Sequence, residues 1–240
     1  MSNIVQVEES NPFLTSKIKR KPNTSDARIL FLYPNERGMS TIPPSIAGLS
    51  QILKNENHVT SLFDTTFYKF DDELAIEDSD LVTQKVLTNR PVLDIDDDDL
   101  YFKKTTRSAI NDFRSAVKDF SPDIIAVSCT ETTFLRGLKI IDETRDLGVK
   151  NMFGGVFPTF APELVMQYPN VDMLCVGEGE NAIIDLANSI SNKDIYSNIT
   201  NLWIRQDDGT IIKNSVSRPV DINGVPAISD IGLFAEQRFY

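Results

Sequence analysis

The chain has 240 residues, of which 41% are hydrophobic and 25% are charged, and its formal net charge at pH 7 is −11. This acidic surface would repel a phosphate backbone, and the only basic cluster, residues 17–21, lies near the amino terminus, so the composition argues against a nucleic-acid-binding protein. No apolar run approaches the roughly 20 residues that a membrane helix requires, which predicts a soluble protein without a membrane span. The two cysteines are too few for a disulfide framework or a cysteine-rich metal site, which favours a reducing, cytoplasmic location.

The first quarter of the chain predicts a tail followed by a strand, a helix and a second strand. Residues 1–26 lack the pattern of a secretory signal, and we expect a disordered tail or an arm that lies on a partner. Residues 28–33 form a continuous apolar strand, which ends where a proline removes the donor for the next ladder hydrogen bond. After a long loop, Pro43-Pro44 begins an amphipathic helix, and residues 58–64 alternate as a second strand does.

Residues 65–106 interrupt this rhythm. The segment is long and acidic, and a structureless run of this length is uncommon inside a compact domain, so we expect an insertion with one or two short helices beside the ligand face. Its aspartate run at 94–99 suggests calcium, but the glycine and glutamate of a calcium-binding loop are missing, which favours a solvated acidic turn. Apolar residues at helical spacing then predict a helix within residues 104–120.

The central stretch repeats one unit of strand, loop and helix. Apolar, β-branched runs at residues 123–128, 149–153 and 171–176 each stop at small or polar residues and are separated by helix-type patterns. Such units form a parallel sheet with helices on both faces, and the loops at the carboxyl ends of the strands meet at one crevice. The fold class predicted from these patterns is α/β, a doubly wound, Rossmann-like or flavodoxin-like sheet of five parallel strands.

The last part of the chain predicts a sheet-covering helix over residues 178–191 and then a hairpin. Two short apolar runs flank the turn Asp208-Gly209, so the hairpin extends the sheet or caps its edge. We therefore expect a single α/β domain over residues 27–215, followed by a linker over residues 216–240 that shows no clear period.

Three segments resemble one known family. The strand end VSCTETTF, the segment GGVFPTFAPELV that starts at Gly154, and the segment VDMLCVGEGE that ends at Glu180 are similar to the amino-terminal cobalamin-binding domain of B12-dependent radical S-adenosylmethionine (SAM) enzymes. The resemblance covers residues 27–215. It departs from the classical cobalamin fold at Ser128-Cys129-Thr130, where that fold has Ser-x-Leu, and in the loop after the first strand, which lacks the Asp-x-His-x-x-Gly motif.

The resemblance implies that cobalamin is the cofactor and that it is held base-off at the carboxyl ends of the strands. The residues predicted to contact it lie on the loops that follow the strands: Tyr33, Pro34, Asn35, Glu36, Arg37, Gly38, Pro43, Ser128, Cys129, Thr130, Glu131, Thr132, Gly154, Gly155, Phe157, Pro158, Thr159, Gly177, Glu178 and Gly179. Adjacent glycines let a backbone approach a large ligand, and the hydroxyl groups of Ser128 and Thr130 can donate to its polar tail. No protein residue is predicted as a metal ligand or as a catalytic residue.

The resemblance also implies a partner. The CxxxCxxC motif that binds the 4Fe–4S cluster and S-adenosylmethionine in this family does not occur in the sequence. We therefore expect the chain to be a truncated or split product. Its partner is then a radical SAM catalytic domain, either in the same protein or on a separate chain. Whether the chain alone catalyses a reaction stays open.

Several alternatives remain at this point. The glycine pair can serve as a tight turn, Ser128 as a strand-end cap, and Cys129 as a small buried hydrophobic residue. The segment 177–182 matches GxGxxA formally, but it follows a late strand and its glutamates would repel a pyrophosphate; Glu180 can also simply favour the positive end of its helix. The single histidine, His58, is expected at the surface or as a cap, at the far end of its strand from the ligand. A sensory corrinoid-binding module, or a nucleotide- or flavin-dependent α/β enzyme, are the alternative functions.

Overall fold

A computed structural model describes residues 26–35, 42–68, 70, 105, 107–218 and 230–238. The tail at 1–25, most of the 65–106 segment and residues 219–229 lie outside the described residues. The strands, in chain order, are β1 Arg28–Tyr33, β2 Val59–Asp64, β3 Ile124–Ser128, β4 Lys150–Gly154, β5 Met173–Cys175, β6 Leu202–Arg205 and β7 Ile211–Lys213. The described helices are α1 Pro44–Asn55, α2 Ala109–Phe120, α3 Glu131–Asp142, α4 Val156–Phe160, α5 Pro162–Val165, α6 Glu180–Asn192 and α7 Gly232–Arg238.

The strands form one sheet in the order β2-β1-β3-β4-β5-β6-β7. The first five strands pair in parallel, and β6 and β7 add an antiparallel hairpin at one edge. The predicted α/β fold with five parallel strands and a hairpin is confirmed, and the hairpin makes the sheet seven-stranded by extending it. Because the strand order reverses direction between β1 and β3, the adjacent loops diverge there and leave a crevice at the carboxyl edge.

Local sequence signals set the ends of the helices. The Ser108 hydroxyl accepts a hydrogen bond from the Asn111 N–H, and the helix α2 starts directly after Ser108. The helix ends at Ser121, which is left-handed with a φ of 49°. At the start of α3, the Thr130 N–H donates to the Thr133 hydroxyl at 3.0 Å. These caps fix where each helix begins relative to the strand beside it.

The two faces of the sheet carry separate cores. One core contains the aromatic residues Phe63, Tyr68, Phe113, Phe134 and Phe153, and it is covered by α2, α3 and the segment α4–α5. The other core lies under α1 and α6 and is built mainly from aliphatic side chains. The alternation of side chains along each strand directs successive residues into one core and then the other.

The carboxyl-terminal segment differs from the predicted linker. Residues 232–238 form the helix α7, and Phe234 is fully buried in the core under α1. Asp230 anchors the segment, since its carboxylate accepts a hydrogen bond from the Ser50 hydroxyl at 2.7 Å and pairs with Lys54. The folded unit therefore includes residues beyond 215, and the absence of periodicity there reflects a contact made largely by one aromatic side chain.

Two further predictions need correction. The segment 156–160 was expected as part of a ligand loop, but it is the helix α4, and the ring of Phe157 packs on that of Phe134. Of the two roles expected for His58, a surface position or a cap, the surface position is wrong, because the residue is only 6% exposed. Within the described part of the chain, no helix is long and apolar enough to cross a membrane.

Candidate functional site

A cavity of about 210 Å³ lies at the carboxyl edge of the parallel strands, on the face covered by α1 and α6. Its floor is formed by β1, β3, β4 and β5, and its walls by Leu49 of α1 and Ile183 of α6. The lining is mostly apolar, with polar groups gathered in the loop between β5 and α6. The cavity therefore lies where ligands bind in doubly wound sheets.

The cavity exists because, on this face of β3, β4 and β5, a large side chain near the amino end is followed by smaller ones toward the carboxyl end. Ile124, Ala126 and Ser128 follow one another on this face of β3. On β4 the corresponding residues are Met152 and Gly154, which pairs with Ser128 in register. A large side chain near the amino end holds the helices off the sheet, and a small one near the carboxyl end leaves space beneath them.

The two glycines after β4 have different roles. A Cβ atom on Gly155 would lie 2.5 Å from the carbonyl oxygen of Cys129, and its φ is +110°. Gly155 is therefore required by the fold itself, as a tight turn against the neighbouring loop. A Cβ on Gly154 would meet only the Cβ of Cys175, at an ordinary 3.6 Å, so Gly154 leaves room in the cavity rather than avoiding a backbone clash.

The loop between β5 and α6 is held by two hydrogen bonds. Gly177 has a φ of +90°, and its N–H donates to the Thr159 hydroxyl at 3.1 Å. The side-chain amide of Asn201 donates to the Glu178 carbonyl oxygen at 2.8 Å. The loop is thus positioned by the neighbouring helix and strand, and Gly177, Glu178, Gly179 and Glu180 line the cavity.

One carboxyl oxygen in this lining is unusual. Oε2 of Glu180 is buried and has no hydrogen-bond partner among the described residues. Glu180 is the first residue of α6, so the partial positive charge of that helix end favours its carboxylate. A buried oxygen without a partner is nonetheless costly, and it marks a place where a ligand can donate a hydrogen bond.

The loop after β3 serves the fold more than the cavity. Cys129 is buried in the aromatic core, where its N–H donates to the Gly154 carbonyl oxygen at 3.0 Å. Thr130 caps α3, and Glu131 and Thr132 are exposed on the first turn of that helix. Of this loop and strand end, Ser128 lines the cavity, and its hydroxyl makes no hydrogen bond within the described part of the chain.

The loop after β1 is tied to the end of β2. The side-chain amide of Asn35 donates to the Thr66 hydroxyl at 2.9 Å. The backbone carbonyl oxygen of Asn35 accepts a hydrogen bond from the Thr65 hydroxyl, also at 2.9 Å. Arg136 of α3 donates to the same carbonyl oxygen at 2.9 Å and lies over the ring of Phe70. This network fixes the start of the loop, whose next residues, Glu36, Arg37 and Gly38, lie outside the described residues.

The cavity brings together six of the predicted site residues: Ser128, Gly154, Gly155, Gly177, Glu178 and Gly179. The others that the structure describes do not line it: Tyr33, Pro34, Asn35, Pro43, Cys129, Thr130, Glu131, Thr132, Phe157, Pro158 and Thr159. Phe157 packs on Phe134 on the opposite face, with ring centroids 5.2 Å apart. The full set of contacts to a cofactor stays a prediction.

Sequence reasoning missed the helical walls of the cavity. Ser45 and Leu49 of α1 and Ile183 of α6 line it, together with Glu180. The signal that could have found them is the strand order, because the first and last helices of a flavodoxin-like sheet share one face. Glu180 was assigned only a helix-end role, since nothing local shows that its second oxygen is buried.

Burial makes both cysteines poor nucleophiles. Removal from water raises the pKa of Cys129 to about 12. Burial also raises the pKa of Cys175, which borders the cavity. The nearby charge of Glu180 adds to this effect, and the pKa of Cys175 is about 12. Neither thiol is set up for covalent chemistry at neutral pH.

His58 lies just before β2, at the opposite end of the sheet from the cavity. Its Nδ1 accepts a hydrogen bond from the Ala27 N–H at 3.3 Å, and its Nε2 lies 3.2 Å from Oδ1 of Asn188. The capping role predicted for His58 is present, although at a buried position. The only imidazole in the sequence is therefore engaged away from the candidate site.

Comparison with known proteins agrees with the geometry. Residues 93–187 match the family model described as the B12 binding domain. No curated protein matches the sequence. The resemblance to cobalamin-binding domains is thereby confirmed, and the match extends from before α2, through β3, β4 and β5, into α6.

Solved structures of two cobalamin-containing enzymes share the fold. The cobalamin-dependent S-adenosylmethionine radical enzyme OxsB, with aqua-cobalamin and S-adenosylmethionine bound, superimposes with a TM-score of 0.58 at 18% identity over 88% of this chain and 25% of its own. The radical S-adenosylmethionine methyltransferase TsrM from Kitasatospora setae, with cobalamin and a [4Fe–4S] cluster bound, gives a TM-score of 0.56 at 17% identity over 84% of this chain and 31% of its own. The chain thus spans about a quarter to a third of the length of these enzymes.

Proposed function

We propose that this chain is the cobalamin-binding module of a B12-dependent radical SAM enzyme. The observation that carries the proposal is the cavity at the carboxyl edge of the sheet, which lies within and beside the segment that matches the B12 binding domain. In this proposal the nucleotide tail of cobalamin enters the cavity, and the corrin ring lies above it on the loops that follow the strands.

The cavity suits a flat, largely apolar group with a few polar atoms. Its floor is made of small or flexible residues, Ala126, Met152 and Gly154, and its rim carries the unengaged hydroxyl of Ser128. Glu180 also lines the cavity, and its buried Oε2 is an acceptor without a partner among the described residues. Apolar walls with a few fixed polar groups are typical of sites that hold an organic cofactor.

The same lining argues against a dinucleotide or a flavin as the primary ligand. Those cofactors place a pyrophosphate at the amino end of a helix, where backbone N–H groups and a positive end bind it. Here Glu178 and Glu180 border the cavity at the start of α6. Their carboxylates would repel a pyrophosphate, so an α/β enzyme that uses a nucleotide is the weaker candidate.

We further propose that the cofactor is bound base-off without a protein imidazole. His58 is held by Ala27 and Asn188 at the amino-terminal edge of the sheet, so it cannot approach a ligand at the carboxyl edge. When bound, cobalamin would supply the cobalt chemistry, and the protein would bind the tail and orient the ring without offering an imidazole to the metal.

A catalytic partner, either another domain or a separate chain, is part of the proposal. The two cysteines are buried and free, whereas a radical SAM cluster requires three thiolates from the protein. Val156, Phe160 and Leu164 on α4 and α5 are exposed, with Phe160 at 83%, and they follow directly from the strand end that lines the cavity. Exposed apolar residues at that position support a covering domain over the cofactor. A cytoplasmic location is inferred with it, since free thiols persist in a reducing compartment.

A sensory module that uses the same cavity is the second candidate. It would bind the corrinoid equally well but would not transfer a group. The exposed apolar residues of α4 and α5 favour a partner domain, without specifying whether that partner is catalytic.

Reconstitution with hydroxocobalamin tests the binding step. After gel filtration, the native chain is expected to retain close to one corrinoid per chain in its visible spectrum. The Ala126→Leu variant fills the floor of the cavity and is expected to lose most of the bound corrinoid. Retention of the full amount by a folded Ala126→Leu chain would place the cofactor elsewhere, and no retention by the native chain would contradict the proposal.

Paramagnetic resonance of the Co(II) form tests the axial ligand. The expected spectrum is base-off, lacks nitrogen superhyperfine splitting and is unchanged in His58→Ala. Splitting that disappears in His58→Ala would show that the histidine binds the metal.

A further inference from the structure

The fold does not explain the role of Glu180. Glu180 lines the cavity beside Ile183 and Cys175, and its Oε2 is buried without a hydrogen-bond partner among the described residues. A carboxylate at the first position of a helix can be satisfied by backbone N–H groups, but this oxygen is not. A buried acceptor without a partner destabilises the empty protein, and because Glu180 lines the cavity, a donor that enters there can satisfy its carboxylate.

The charge of the cavity lining restricts which chemical group can be the donor. A phosphate would be repelled by Glu180 and by the neighbouring Glu178, so the matching group is uncharged or positive. The nucleotide consists of a base, a ribose and a phosphate. The base, a substituted benzimidazole, carries no N–H in its neutral form, and the phosphate is an anion. The ribose carries free hydroxyl groups, and hydroxyl groups are donors.

We propose that Glu180 is a specificity-determining residue that accepts a hydrogen bond from a ribose hydroxyl of the cobalamin nucleotide. This inference rests on the proposed cobalamin-binding function. Glu180 makes the chain select complete cobalamin over cobinamide, a corrinoid that keeps the ring and its amide side chains but lacks the nucleotide. Because Glu180 lines the cavity that the nucleotide enters, the ring and its amides outside gain nothing from it.

Equilibrium dialysis with hydroxocobalamin and with diaquacobinamide tests the inference. In Glu180→Ala we expect the affinity for cobalamin to fall by about 10- to 100-fold, as for a hydrogen bond to a charged group, while the affinity for cobinamide stays within about twofold. Glu180→Gln keeps the size and one carbonyl acceptor, so a smaller loss is expected. Asp185→Asn, an exposed position on the same helix, makes the same change in charge and is expected to leave both affinities unchanged.

The unfolding midpoint of the empty protein separates recognition from a structural role. Glu180→Gln removes the buried charge, and we expect its midpoint to be equal to or above that of the native chain. A lower midpoint in Glu180→Gln together with an unchanged preference for cobalamin would show a structural role and overturn the inference.

The remaining outcomes are equally distinct. A native chain that binds cobalamin, with a preference over cobinamide that survives in Glu180→Ala, overturns the inference and leaves the proposed function standing. A native chain that binds neither corrinoid overturns the proposed function and the inference with it.

Discussion

The two faces of the sheet are built from the same strands but are filled in different ways. On the face under α2 and α3, aromatic rings pack in pairs, with the centroids of Phe63 and Phe113 5.1 Å apart and those of Phe134 and Phe153 5.6 Å apart. On the face under α1 and α6, small residues leave the cavity at the carboxyl edge. One face therefore contributes stability and the other contributes a binding site.

The largest expected effect is the loss of a ring from the filled face. Phe153→Ala removes a fully buried ring that packs edge-on against Phe134, and we expect the free energy of unfolding to fall by about 3–5 kcal/mol. Met152→Ala, the neighbouring residue on the cavity face, is the control and is expected to cost closer to about 2 kcal/mol, because the side chain already borders empty space. Urea denaturation measures both, and equal losses would show that the two faces are packed alike.

The next effect compares the adjacent glycines. Gly155→Ala places a methyl group against the Cys129 carbonyl oxygen at a positive φ, and we expect a loss of about 1–3 kcal/mol in the free energy of unfolding. Gly154→Ala makes an ordinary contact with Cys175 and is expected to be neutral or to stabilise by up to about 1 kcal/mol. A Gly154→Ala chain as unstable as Gly155→Ala would mean that both glycines serve only the turn.

These contrasts also explain what the sequence could and could not predict. The five parallel strands and their covering helices follow from local periodicity, and they were predicted correctly. The clash at Gly155 is set by Cys129, a residue on the neighbouring strand's loop, so local chemistry cannot reveal it. The docking of α7 depends mainly on Phe234, and one aromatic residue makes no period.

The cavity could be predicted from the sequence only in part. Its signal is present in the sequence, since Ile124 is followed on one face of one strand by two small residues, Ala126 and Ser128. The signal becomes a site only when the corresponding residues of β4 and β5 are aligned with it, and that register is a tertiary property. The buried oxygen of Glu180 depends on the same register and on the placement of α6.

A third prediction concerns the ligand. Gly154→Val adds two methyl groups beyond Cβ in the cavity, and we expect the affinity for cobalamin to fall at least about tenfold, or about 1.4 kcal/mol, while the fold is retained. Gly48→Ala on α1, where a Cβ meets no atom within 4 Å, is the control and should bind as the native chain does. Equal retention of cobalamin by both variants would place the nucleotide outside this cavity.

A fourth prediction concerns pH. Burial raises the pKa of both thiols to about 12, above the value of about 8.5 for a free cysteine, so the unfolded chain loses these protons first as the pH rises. Their contribution to stability is present in full below pH 8 and declines above it, by about 1 kcal/mol per thiol between pH 8.5 and 9.5. Urea unfolding of the native chain and of Cys129→Ala at both pH values measures this, and the variant should show the smaller decline. Equal declines would show that Cys129 does not titrate differently on unfolding.

The smallest effect compares the cysteines themselves, one on each face. Cys129 belongs to the filled aromatic core, whereas Cys175 borders the cavity, although both are less than 5% exposed. A small neutral reagent such as methyl methanethiosulfonate can enter the cavity without unfolding the protein, so Cys175 is expected to react severalfold faster than Cys129. Cys129→Ala and Cys175→Ala report each thiol separately by mass spectrometry. Because bound cobalamin would occupy the cavity, it should slow the reaction of Cys175 and leave that of Cys129 unchanged. Equal protection of both thiols would mean that the cofactor acts by suppressing global unfolding, and the difference between the faces would then lie in stability alone.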